Sequence, residues 1–179
     1  KELVLPATTI TDGCYQYMFN GCKSLTRAPK LPATNVAHSC YEGMFSGCEK
    51  LVTAPELPAT KMAEDCYYNM FFGCSALTTA PKLRATSVAN RCYEHMFHGC
   101  TSLTTAPELP ATTMALACYY AMFADCYSLA VAPKLPATTM AEHCYSGMLA
   151  SELSYHRGSC AARHYAGQRM LCFDVLILY

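Results

Sequence analysis

The chain has 179 residues, 53% of them hydrophobic and 15% charged, with 13 Lys and Arg balancing 13 Asp and Glu. That much apolar surface can order a single domain and excludes a disordered polymer. Zero net charge argues against the basic footprint of a nucleic-acid binder or of a protein held on anionic lipid, and with no run of about 18 apolar residues no direct membrane insertion is expected in this segment.

The chain opens on Lys1-Glu2-Leu3-Val4 with neither an initiator Met nor a signal-peptide core, so the natural N-terminus is expected upstream. At Leu5 a pattern begins that reads L-P-A-T-x-x-A-x-x-C-Y-x-x-M-F-x-G-C-x-x-L-T-T-A-P-K/E. It restarts at Leu31, Leu57, Leu83, Leu109 and Leu135, a strict step of 26 residues without insertion. Cys14, Cys40, Cys66, Cys92, Cys118 and Cys144 keep this step, as do Cys22, Cys48, Cys74, Cys100 and Cys126. The methionines from Met18 to Met148 and the prolines Pro29, Pro55, Pro81, Pro107 and Pro133 follow it too. A unit this short cannot bury its apolar side alone, so a fixed period means stacking on neighbours. Residues 5–148 are therefore expected to form one stacked domain.

Within the first unit, Cys14, Met18 and Cys22 lie at i, i+4 and i+8 with Tyr15 and Phe19 beside them, which predicts a short helix with one apolar stripe. Gly21 and its equivalents Gly47, Gly73 and Gly99 are expected to stop it. Leu25-Thr26-Arg27-Ala28, and Leu51-Val52-Thr53-Ala54 in the next unit, have the composition of a short strand bounded by Pro29 and Pro32. The expected architecture is an α/β-type solenoid, a right-handed coil with a narrow parallel β-sheet on one face and short helical segments on the other. After each strand proline the charge alternates through Lys30, Glu56, Lys82, Glu108 and Lys134, so opposite charges would meet on adjacent rungs of the stack.

The cysteines lack the C-x2-C knuckle of a zinc site, so no metal is expected there. Disulfide ladders between stacked coils are geometrically conceivable. The repeats hold 11 cysteines, an odd number, which favours free thiols packed as small apolar groups in a core ladder. The Tyr and Phe of each C-Y-x-x-M-F segment are read as core, since repeated identity is what stacking requires. Of the six histidines only His95 and His98 lie close, at i and i+3, and they read as solvated helix surface, with a weak adventitious metal contact as the alternative. No single place gathers a nucleophile, a base and an acid, no glycine-rich phosphate loop occurs, and no enzyme activity or cofactor is expected.

After Met148 the pattern stops. Met170, read one nucleotide later, must give Cys whichever Leu171 codon is used, 26 residues past Cys144. Other tail codons can give Pro, Ala, Thr, Tyr, Met and Phe in register. Residues 149–179 are thus read as an out-of-frame further repeat, with a makeshift C-terminal cap as the alternative.

The run M-F-x-G-C-x-S-L-T-T followed by P-x-L-P resembles the BspA-like branch of bacterial leucine-rich repeat proteins, whose units carry A-F-x-G-C-x-x-L-x-x-I and then I-P. The resemblance covers Leu5 to about Met148, departing where Met replaces Ala and Ala28-Pro29 replaces Ile. It implies a surface or secreted binding module for a protein or glycan, and a structural spacer is the alternative. The expected binding face is the strand side: Thr26, Arg27, Lys30, Thr53, Glu56, Thr79, Lys82, Thr105, Glu108 and Lys134. Asp12, Gly13, Gln16, Tyr17 and Asn20 of the first unit and their equivalents vary from repeat to repeat and form a second candidate contact surface. Open solenoid ends also allow self-association.

Overall fold

The computed structural model describes residues 3–150. Within them, successive units pair through residues 26 apart, by two series of parallel bridges and a third series of backbone hydrogen bonds.

The first series joins Arg27 to Thr53, Thr53 to Thr79, Thr79 to Thr105 and Thr105 to Val131. Each contact is a single bridge, so the expected narrow parallel sheet is reduced to isolated pairings. The reason lies two residues downstream, where every unit carries a proline. Proline has no N–H to donate, and prolines in the same place on every rung keep the ladder from lengthening. The second series runs through Asn35, Lys61, Ser87, Thr113 and Thr139. It falls just after L-P-A-T, where no strand was expected.

The predicted short helices do not form, and among the described residues there is no α-helix. Residues 12–21, 38–47, 64–73, 90–99, 116–125 and 142–149 are instead continuous turns. Every fourth residue in them is left-handed: in the third unit Asp65, Asn69 and Gly73 have φ of 55°, 53° and 67°. This splits the amides into two sets. Cys66, Tyr68 and Met70 donate three residues back, to Ala63, Asp65 and Tyr67. Tyr67, Asn69 and Phe71 donate to the next unit, to the carbonyls of Cys92, Glu94 and Met96 at 3.1, 3.0 and 3.0 Å. A helix would keep all these bonds inside itself. Here half of them tie one unit to the next.

Those turns aim the repeated side chains inward. Cys66, Tyr67, Met70, Phe71 and Cys74 are all 0–1% exposed, as are their equivalents in the second and fourth units. Tyr15, Tyr41, Tyr67, Tyr93, Tyr119 and Tyr145 stack in a column with centroids 5.5–5.8 Å apart. Phe19, Phe45, Phe71, Phe97 and Phe123 form a second column at 5.6 Å. Parallel rings at this separation are offset stacks, which add to the burial of their area. The phenol oxygens of Tyr41, Tyr119 and Tyr145 are buried without a hydrogen-bond partner. From residue 151 the expected frameshifted repeat or cap lies outside the described residues.

Candidate functional site

All ten residues expected on the strand side, Thr26, Arg27, Lys30, Thr53, Glu56, Thr79, Lys82, Thr105, Glu108 and Lys134, are exposed. The bridges set Arg27, Thr53, Thr79 and Thr105 on consecutive rungs. The Oγ1 atoms of Thr78 and Thr104 hydrogen-bond the carbonyls of Val52 and Thr78, one unit back, at 3.4 and 3.5 Å. Glu56, Lys82, Glu108 and Lys134 alternate in sign along this side, yet no ion pair closes between them. Held apart, their charges stay open to solvent and to a partner. Between Thr105–Pro110 and Val131–Pro136 the surface opens into a cleft of about 380 Å³. Its walls are mostly Ala, Pro, Leu and Val, with Glu108 and Lys134 as the charged lining residues.

The thiols divide into two sets. Those of Cys48, Cys74, Cys100 and Cys126 donate to the carbonyls of Phe19, Phe45, Phe71 and Phe97 in the preceding unit, at 3.0–3.2 Å. The other series is more apolar: Cys66 and Cys118 approach the sulfurs of Met62 and Met114 at 3.8 and 3.7 Å. All 11 described cysteines are free. Cys40, Cys66, Cys92, Cys118 and Cys144 of the first series and Cys48, Cys74, Cys100 and Cys126 of the second are buried. Cys14 and Cys22, expected in the core ladder, are exposed instead. They lie in the first unit, which has no preceding rung among the described residues to cover them. Burial pushes the Cys40, Cys48 and Cys118 thiols up to about 11, which leaves them protonated and unreactive at neutral pH.

The side built by the turns is less uniform. The Asp65 carboxylate accepts from Arg91 at 2.8 Å, and Glu42 accepts from Gln16 at 2.9 Å and from the Tyr17 hydroxyl. Burial raises the Asp65 carboxyl more than the Arg91 guanidinium lowers it. In the third to fifth units the variable positions bring together Tyr68, Phe72, Glu94, His95, His98 and Tyr120, and Asp125 joins them from the place that glycine holds in the first four units. The His98 ring lies over Phe72 with centroids 4.8 Å apart, and His95 meets Tyr68 and Tyr120 edge-on at 6.3 and 5.3 Å. His95 and His98 are not on a solvated helix. They sit on a turn with their side chains only 23% and 25% exposed. Burial, and then the proximity of His98, lower the His95 pKa, while burial raises that of Glu94. Their spacing in sequence marked the histidines as a pair, but Phe72 and Asp125 reach them from neighbouring units. Subtracting the 26-residue step from His98 gives Phe72, whereas adding it gives Ala124, the chain neighbour of Asp125, so the repeat marks the first and misses the second by one residue.

Compared with protein-family models, curated proteins and solved structures, the chain matches none. Among the described residues no helix is long and apolar enough to cross a membrane, and no three His, Cys, Asp or Glu side chains are grouped to hold a metal ion.

Proposed function

We propose that this chain is a leucine-rich-repeat-like solenoid that works as a non-enzymatic binding module of a bacterial surface or secreted protein and takes an extended protein segment on its strand side. The observation that carries the reading is the cleft between Thr105–Pro110 and Val131–Pro136, with Glu108 and Lys134 among its lining residues. Its volume lies in the range of small recognition pockets. Its lining favours a protein over a glycan, because sugars stack on exposed aromatic faces and none of its residues is aromatic. Ala, Pro, Leu and Val instead suit the apolar side chains of an extended peptide, with the two charges fixing its direction. The surface localisation rests on the resemblance of the M-F-x-G-C-x-S-L-T-T units to the BspA-like branch.

Selection from a library of extended peptides against the immobilised chain tests this reading. Substituting Val131→Arg to fill the cleft, or alanine at Thr105 and Glu108, should weaken selected peptides by about tenfold or more, roughly 1.4 kcal/mol. Peptides indifferent to these changes would overturn the strand-side site. A structural spacer is the second reading, favoured by the unit-to-unit sameness of the Thr53, Thr79 and Thr105 rungs. It predicts that no peptide is selected.

A further inference from the structure

The fourth turn segment, residues 90–99, holds two imidazoles in an unusual relation. His95 takes a left-handed backbone with φ 53°, and three residues on His98 turns back beside it. Their Nδ1 atoms face each other at 3.1 Å. The far nitrogens face carboxylates: His98 Nε2 lies 3.4 Å from Asp125 Oδ2, and His95 Nε2 lies 3.7 Å from Glu94 Oε1. Asp125 is itself oriented, because its Oδ1 accepts from the Tyr127 hydroxyl at 2.8 Å.

A carboxylate beside Nε2 favours the tautomer that carries its proton there, which leaves the lone pair on Nδ1. With both rings in that state, two lone pairs would confront each other across 3.1 Å. A cation set to one side of the line between the two nitrogens and bonded to both would remove that repulsion. For imidazole–metal bonds of about 2.0–2.1 Å, two nitrogens at this separation subtend roughly 95–100° at the ion, within the range of tetrahedral and octahedral sites. Phe72, Tyr68 and Tyr120 wall in the rings, so little freedom would be lost on chelation.

We propose that His95 and His98 form a two-imidazole chelate for a divalent first-row transition-metal ion, with Asp125 and Glu94 as positioning residues on the outer nitrogens. The two protein ligands leave coordination positions for water or for a group from a bound partner. This site lies on the turn side and is independent of the strand-side cleft.

The test is a titration of the intact chain with Ni²⁺ alone, followed by calorimetry and by the imidazole resonances in NMR spectra. The double variant His95→Asn/His98→Ser uses residues that other units carry at these places, Asn69 and Ser46, so it keeps the fold; circular dichroism and thermal unfolding check this. The parent should show one site, at His95 and His98, that the double variant weakens by at least about 30-fold, and Asp125→Asn should weaken it by roughly 10-fold with both imidazoles in place. Equal Ni²⁺ affinity in the parent and the folded double variant, or His95 and His98 resonances unmoved by Ni²⁺, overturns the proposal. The second outcome would leave the Nδ1–Nδ1 contact as an N–H···N hydrogen bond between the two rings.

Discussion

The thiol of Cys74 donates to the carbonyl of Phe45, 29 residues earlier in the chain, at 3.1 Å. The same bond recurs at Cys48, Cys100 and Cys126, which gives the second cysteine of each unit a reason beyond size. The Phe carbonyl already accepts the amide of Cys48 within its own unit, at 3.0 Å. The thiol uses its second lone pair and joins the two units. Cys74→Ala should therefore cost about 1–2 kcal/mol, from a small cavity and a lost bond. Cys22→Ala, at an exposed equivalent, should cost less than about 0.5 kcal/mol. Urea unfolding of the two variants measures both.

The buried thiols also predict an alkaline limit. Unfolded cysteines ionise near 9, whereas burial holds the Cys40, Cys48 and Cys118 thiols protonated up to about 11. A raised folded-state pKa means that the stabilisation is complete below the unfolded value and is lost as pH rises toward the folded one. Between these limits the unfolded state binds fewer protons, so each thiol removes about 1.4 kcal/mol per pH unit. Urea midpoints should be level up to about pH 8.5 and then fall steeply to about pH 10.5. A level profile across that window would contradict the buried ladder.

Tyr119 should tolerate the loss of its hydroxyl. The ring stacks between Tyr93 and Tyr145 at 5.5 and 5.7 Å, but its oxygen is buried without a partner. An unsatisfied buried hydroxyl costs about 1–3 kcal/mol, so Tyr119→Phe should be neutral or raise stability by up to about that amount. Thermal unfolding decides, and a loss above about 1 kcal/mol would mean that the oxygen has a partner.

Left-handed residues give a paired prediction. His143 has φ 54° and is exposed, and the equivalent residue of the first unit is Gly13. His143→Gly should stabilise by about 0.5–1 kcal/mol, because glycine adopts this backbone without strain. Gly73, with φ 67° and open space where a Cβ would lie, should lose about 1–2 kcal/mol on Gly73→Ala from conformation alone. Chemical denaturation of both variants gives the two signs.

The repeat, its 26-residue step and the inward residues were legible because identical side chains on every rung are the simplest way to fill a stacked core. The backbone of the C-Y-x-x-M-F segment was not. Cys66, Met70 and Cys74 lie four apart, and four helical residues overshoot a full turn by only ~40°, so over three rungs a helix and a run of four-residue turns give the same stripe. What separates them is the left-handed residue every fourth place. Glycine announces it at Gly13, Gly21, Gly43 and Gly47, but Asp65, Asn69, Arg91 and His95 fill the same places elsewhere and conceal it. On the strand side the ten residues were legible as an exposed face, since Thr and charge alternate there. The cleft was not, because its shape depends on how Val131–Pro136 lie against Thr105–Pro110. Phe72 and Asp125 escaped notice beside the histidines because neither is near them in sequence.

The central claim is that alternate amides of each turn segment, Tyr67 among them, bond to the next unit where a helix would bond them within the segment. A long-range HNCO experiment on the labelled chain detects the coupling across a hydrogen bond and names its acceptor. The amide of Tyr67 should correlate with the carbonyl of Cys92, 3.1 Å away in the following unit. A correlation with Ala63, the carbonyl four residues back that a helix would use, would contradict the account.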